Sequence, residues 1–406
     1  MSETLLEFHP LTYVPERDGI VVGRPDTESY ALLPEDGADL LRRLADGLPA
    51  EEAADWYHHT YSEHVDVHDF ITEMRDLGFI ISETDRSSPA AQPAPPVMPR
   101  QQRLGRAFFS PLAWVLYAVI AASGFFVQAW YPVLQPSSSS LFFTQSLVLS
   151  QVALLVAQLP MTAWHEWFHV LAARRIGVPS RLGVSRRLIF MVVETRMTGL
   201  LSVPPRKRYL PMLAGLVADI VLFGALNLFA ALTLHHGVLP WPGRLAVALA
   251  IMVQVRIIWQ LFMFVRTDPY YALSTKLGTT DLSGASRAWL RNLVRTRHGR
   301  RAAAATQYQA RWSPRDRRHA PWFGIGSVFG VIILFSIVGH DVFLPIAMDL
   351  GGRLKLELTS GTAGPRFWDS VVLLGFYLVW FCVLPITSSF IEHRSIRREQ
   401  SVAVSQ

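Results

Sequence analysis

LFFTQSLVLSQVALLVAQLPMTAW, residues 141–164, runs for 24 residues without a single charge and leads directly into HEWFH, residues 165–169. Coiled into a helix at about 1.5 Å per residue, such a run is long enough to cross the roughly 30 Å hydrocarbon core of a bilayer. A second charge-free run, Leu112–Tyr131, precedes it. Four more apolar stretches follow: Leu210–Leu234 with Asp219, Leu245–Val265 with Arg256, Trp322–Gly339, and Phe367–Phe390 with Asp369 near its start. The expected body is therefore a polytopic α-helical membrane protein of about six spans. Composition agrees, because half of the 406 residues are hydrophobic, 17% are charged and the mean hydropathy is +0.25. That is too apolar for an ordinary soluble enzyme. The lone cysteine, Cys382, excludes an internal disulfide framework.

The net charge of +6 conceals a division: residues 1–99 hold 20 acidic and six basic residues, while the remainder holds 12 acidic and 32 basic ones. An acidic soluble head thus precedes a basic apolar body. The basic residues orient the body. They cluster before the first span (Arg100, Arg103, Arg106), between the second and third, and in residues 266–318, where eleven Arg and one Lys meet three acids. More follow the last span (Arg394, Arg397, Arg398), whereas the 132–140 loop is uncharged. All basic loops share one side if both termini are cytoplasmic. Lysine is confined to Lys207, Lys276 and Lys355, the usage of a GC-rich bacterial genome, so the expected location is a bacterial cytoplasmic membrane. No basic n-region or apolar run opens the chain, and no signal peptide is expected.

The head, residues 1–86, reads as a small α/β unit. Residues 11–14, 19–23 and 29–33 have strand character with turn residues between them; 34–47, 51–61 and 67–76 have helical spacing; LGFI (77–80) resembles a closing strand. A Pro-rich linker is expected over 87–107. Excess negative charge makes the head a poor nucleic-acid binder, since phosphate contacts need cations. His58, His59, His64 and His68 read as a solvated cluster rather than a second metal site.

HEWFH carries the chemistry. His165 and His169, four residues apart, share one helix face and can both reach a metal, with Glu166 beside its open position. Ionisable groups in an apolar helix are expensive unless they serve a purpose. Zinc suits two imidazoles and hydrolytic chemistry, with Glu166 as general base. For a third protein ligand, Asp268 just after the fourth span lies 23 residues from that span's outer end and His165 lies 24 from the second's, so antiparallel neighbours bring them to one depth. An Asp-Pro turn is the lesser reading of Asp268, and Glu194 and Asp219 are weaker rival ligands. An ion pair between Asp219 and Arg256 explains both of those residues more simply.

With HEWFH, the small-residue segment MLAGLVAD (212–219), RLIFMVVETRM (187–197) and TDPYYAL (267–273), the body resembles the site-2 protease family of intramembrane zinc metalloproteases over about residues 110–275. The resemblance implies His165, His169 and Asp268 as zinc ligands, Glu166 as catalytic base, and 187–197 as a strand that holds substrate extended. Pro269 stands where those relatives have glycine, and Leu216 where they have proline. The head resembles the PqqD-like winged-helix modules that recognise leader peptides. The matching residues are Tyr30, Leu32, Pro34, Gly37, Leu40, Leu41, Leu44, Gly47, Phe70, Met74, Leu77, Gly78, Phe79 and Ile80. That resemblance implies leader binding along an edge strand. The expected organisation is then head (1–86), linker (87–107), metalloprotease core (108–275), basic cytoplasmic segment (276–320), and two last spans with a tail (321–406). The expected function is removal of the leader from a ribosomally made precursor peptide, alongside biosynthetic partner proteins. Clipping of a membrane-anchored signalling protein, or non-hydrolytic peptide export or self-immunity, are the alternatives.

Overall fold

The computed structural model describes residues 6–81, 97–187, 190–295, 312–337 and 364–379, with single positions between the later segments. In the head, strands β1 (Thr12–Glu16), β2 (Gly19–Arg24) and β3 (Ser29–Leu33) form an antiparallel sheet in sequence order, followed by helices α1 (Glu35–Ala45), α2 (Ala50–Tyr61) and α3 (Val67–Asp76). Gly19 closes the first hairpin at φ +147°, where a Cβ would lie 2.1 Å from the Leu33 carbonyl oxygen. The α1 periodicity buries Ala38, Leu40, Leu41 and Leu44 against Val22, Ile71 and Phe79. Each leucine so buried contributes about 2 kcal/mol. Asp66 caps α3 by accepting the Asp69 N–H at 3.0 Å. LGFI does not form a strand of its own. It makes one antiparallel bridge, Ile80 to Phe8, with His9 N–H donating to the Phe79 carbonyl at 2.9 Å and Ile81 N–H to the Glu7 carbonyl at 2.8 Å, while the Phe79 and Ile80 side chains join the core.

The body is mostly helical. Four of its helices are α5 (Pro111–Trp130), α6 (Leu147–Arg175), α7 (Pro205–Thr233) and α8 (Trp241–Gln260). With a fifth, Pro314–Ser336, they are long and apolar enough to cross a membrane. Large apolar side chains such as Leu112, Leu159, Leu232 and Phe335 point outward, the inverse of a water-soluble surface. The sixth expected span continues beyond the described residues; its first part, Pro365–Leu378, is helical.

Small residues set the helix crossings. Gly124 of α5 and Gly224 of α7 face each other so closely that a Cβ on Gly124 would come 2.3 Å from the Gly224 Cα. The expected linker ends early. Helix α4 (Pro99–Phe108) starts at Pro99, a favoured first-turn residue, and Gly105 packs on the Leu171 carbonyl near the end of α6. Between α6 and α7 lies a hairpin of β4 (Ser180–Arg187) and β5 (Phe190–Met197). After α8 come α9 (Asp268–Leu277), α10 (Leu282–Arg295), α11 (Pro314–Ser336) and α12 (Pro365–Leu378). The basic α10 has an apolar face that packs on α11, with Trp289 and Leu290 near Gly324.

Candidate metal centre

The three residues of the expected ligand set meet. His165 and His169 lie one turn apart on α6, and their Nε2 atoms are 3.3 Å from each other. Asp268 Oδ2 is 3.3 Å from His165 Nε2 and 3.2 Å from His169 Nε2. Among the described residues this is the group able to hold a metal ion.

The far side of each imidazole decides what the near side can do. His169 Nδ1 lies 2.7 Å from the Pro211 carbonyl, which can only accept, so Nδ1 carries the proton. His165 Nδ1 lies 2.9 Å from Asp219 Oδ2. Asp219 is fully buried and paired with Arg256, which donates from Nε at 2.9 Å and also from Nη2. It is thus an ionised acceptor, and His165 likewise keeps its proton on Nδ1. Each Nε2 faces the other and a carboxylate oxygen, an arrangement held together by a shared proton or by a metal cation.

The backbone leaves room for it. Gly215 of α7 faces the same point, and a Cβ there would lie 2.3 Å from the Nε2 of both histidines. A triangle with sides of 3.2–3.3 Å has its centre about 1.9 Å from each corner, close to the roughly 2.0–2.1 Å of a metal–imidazole bond. The donor set and the cradle fit a small divalent ion.

Asp268 arrives by a break that the sequence hides. The apolar run continues to Val265, but α8 stops at Gln260 and a short 3-10 turn covers Met263–Val265. Arg266 follows at φ +59°. Helix α9 then starts at Asp268 with Thr267 before it, whose hydroxyl donates to the Gln260 carbonyl at 2.7 Å. Pro269 occupies the first turn, where its missing N–H costs nothing. Gln260 holds Asp268 twice, accepting its backbone N–H at 3.2 Å and donating Nε2 to Oδ2 at 3.3 Å.

Glu166 is 7% exposed beside the two histidines, and Thr195 of β5 places its hydroxyl 2.7 Å from Glu166 Oε2. Of the rival ligands, Asp219 reaches the outer nitrogen of His165 and so supports the site from behind. The side chain of Glu194 lies outside the described residues. Thr195, Gln260 and the Pro211 carbonyl were not expected from sequence. Gln260 had a signal, standing four residues after Arg256 on one face of an apolar helix; Thr195 and a carbonyl had none.

The centre opens into a cavity of about 770 Å³, whose lining includes Met197, Leu200, Trp259 and Tyr271. No protein-family model matches the chain, and no curated protein or solved structure matches it either. The site stands on its own chemistry.

Proposed function

We propose that this chain is a zinc-dependent intramembrane metalloendopeptidase of site-2 protease type, with a PqqD-like winged-helix head, that removes the leader from a ribosomally made precursor peptide. The observation that carries this reading is the pair of Nδ1-protonated histidines converging with Asp268 on one point, with a hydrogen-bonded carboxylate, Glu166, beside it. Zinc fits the two nitrogens and one oxygen better than a hard cation would, and needs no redox partner. When bound, it supplies Lewis-acid polarisation of the scissile carbonyl and acidifies water.

The chain's own groups do the rest. Glu166 takes a proton from the attacking water and passes it to the nitrogen of the leaving amine, so the C–N bond breaks with charge balanced. The Thr195 hydroxyl orients that carboxylate. Asp219 and the Pro211 carbonyl hold both imidazoles in the ligating tautomer. In the head, β3 is an outer strand of the sheet, which suits addition of a leader strand. The reading puts the protein in a bacterial cytoplasmic membrane with both termini in the cytoplasm and the head on the side of the zinc.

Purified protein incubated with candidate precursor peptides, followed by mass spectrometry and metal analysis, tests this. Wild type is expected to release leader and core, and Glu166→Gln to keep its zinc while losing about 10²–10⁴-fold in rate. Intact peptide with zinc-loaded wild type overturns the proteolytic reading in favour of a non-hydrolytic role.

A further inference from the structure

The cavity over the metal centre is not built from the body alone. Glu28 and Tyr30, from the turn and first residues of β3 in the head, form part of its wall together with Thr195 and Asp268. Tyr30 is held in place: its ring lies across Gly23 of β2, where a Cβ would meet it at 1.9 Å, and its hydroxyl is 3.3 Å from Ser202 Oγ. Glu28 stands at the hairpin tip with φ +56°.

The head reaches this position through polar contacts. Glu16 pairs with Arg208 at 2.7 Å, and Arg208 is itself buried and tied to the carbonyls of Leu201 and Val203 at 2.9 and 2.6 Å. The Thr12 and Ser202 hydroxyls are 2.8 Å apart, and Asp18 pairs with Arg315 at the start of α11. A buried arginine already committed to two body carbonyls makes a fixed post for the head to dock on.

Resting on the proteolytic reading, we infer that the active site is composite: the head supplies a wall of the substrate cleft, and Glu28 and Tyr30 are specificity-determining residues that touch the peptide beside the bond to be cut. Strand β3, the edge proposed for leader binding, carries Tyr30 into the cavity, so a peptide lying along β3 runs on into the cleft. Recognition and cleavage are one continuous groove, and the head stays docked during turnover.

The test uses the full chain with Cys382→Ser, in detergent, loaded with zinc, and a randomised decapeptide mixture whose cut bonds are read by mass spectrometry. Thr12→Cys with Ser202→Cys is expected to form an intramolecular disulfide on mild oxidation, a readout of docking that needs no activity. The locked protein is expected to cut the mixture as well as its reduced form. Glu28→Lys is expected to lower the ratio of basic to acidic residues around the cut bonds by about tenfold, and Tyr30→Ala to blur the preference at one position while Tyr30→Phe retains it. A disulfide that forms with unchanged preferences in both variants overturns the composite site while leaving the protease reading intact. Loss of cutting on locking, restored by reduction, overturns the docked-head mechanism. No cutting by zinc-loaded wild type overturns both readings.

Discussion

At the scale of single residues, the centre depends on an absence. Gly215 leaves open the point where two imidazole nitrogens meet, each 2.3 Å from where its Cβ would be. Alanine is the better helix former by about 1 kcal/mol, so Gly215→Ala should leave the helix content intact and abolish metal binding. Metal analysis together with far-UV circular dichroism separates the two effects. Retained zinc in that variant would mean that the ligands converge elsewhere. Asp219 works at one remove, fixing the His165 tautomer while neutralising Arg256. Asp219→Asn should weaken zinc by about 10–100-fold in competition with a chelator. It should also destabilise the protein by about 1–3 kcal/mol, since the half-buried Arg256 loses its charge partner. An unchanged zinc affinity would reduce Asp219 to a structural partner of Arg256. Of this arrangement the pairing of His165 with His169 was legible from sequence, because HExxH is local and helical spacing does the geometry. Asp219 was legible as half of an ion pair, but its contact with His165 was not, since it depends on the rotation of α7 against α6.

At the scale of elements, legibility follows the locality of the cause. The three strands and three helices of the head were readable to within a residue or two, because turn residues and apolar periodicity lie side by side in the chain. The end of α8 was not readable. The residues after Gln260 are as apolar as those before it, and the stop comes from a left-handed Arg266 and the Gln260–Asp268 clamp. The equal-depth argument for Asp268 expected it level with His165, and the structure brings the two together along a chain that is not one straight helix. Two distant contacts set the positions of the site's helices. Gly124 and Gly224 allow α5 against α7, and Gly224→Leu should overpack that crossing by about 1–3 kcal/mol. A lowered midpoint of thermal unfolding checks it, and an unaltered midpoint would show that the helices separate freely there. Asp369 of α12 accepts from the Ser146 hydroxyl at 2.6 Å and the Val148 N–H at 3.2 Å, capping the start of α6, the helix of His165 and His169, from across the molecule. Its carboxylate faces the positive end of the helix dipole. Asp369→Ala should cost about 1 kcal/mol, again seen in the unfolding midpoint.

At the scale of the whole molecule, the charge division has a structural counterpart. The head's apolar cluster contains head residues only, and each apolar cluster of the body among the described residues contains body residues only. The two halves join through Glu16–Arg208, Asp18–Arg315 and paired hydroxyls, an interface of the separable, polar kind. His165, His169, Asp268, Gly215 and the groups behind the imidazoles belong to the body. A chain starting at residue 97 should therefore bind zinc with the stoichiometry of the full protein, because nothing that shapes the metal centre is removed. Calorimetry of the full chain should resolve a head transition apart from that of the body, and the head transition should vanish on truncation. The truncated chain should still cut peptides, but with a broadened choice of bond, since one wall of its cleft is gone. Zinc lost together with the head would show that docking shapes the centre itself, and would make the Glu16–Arg208 contact part of its foundation.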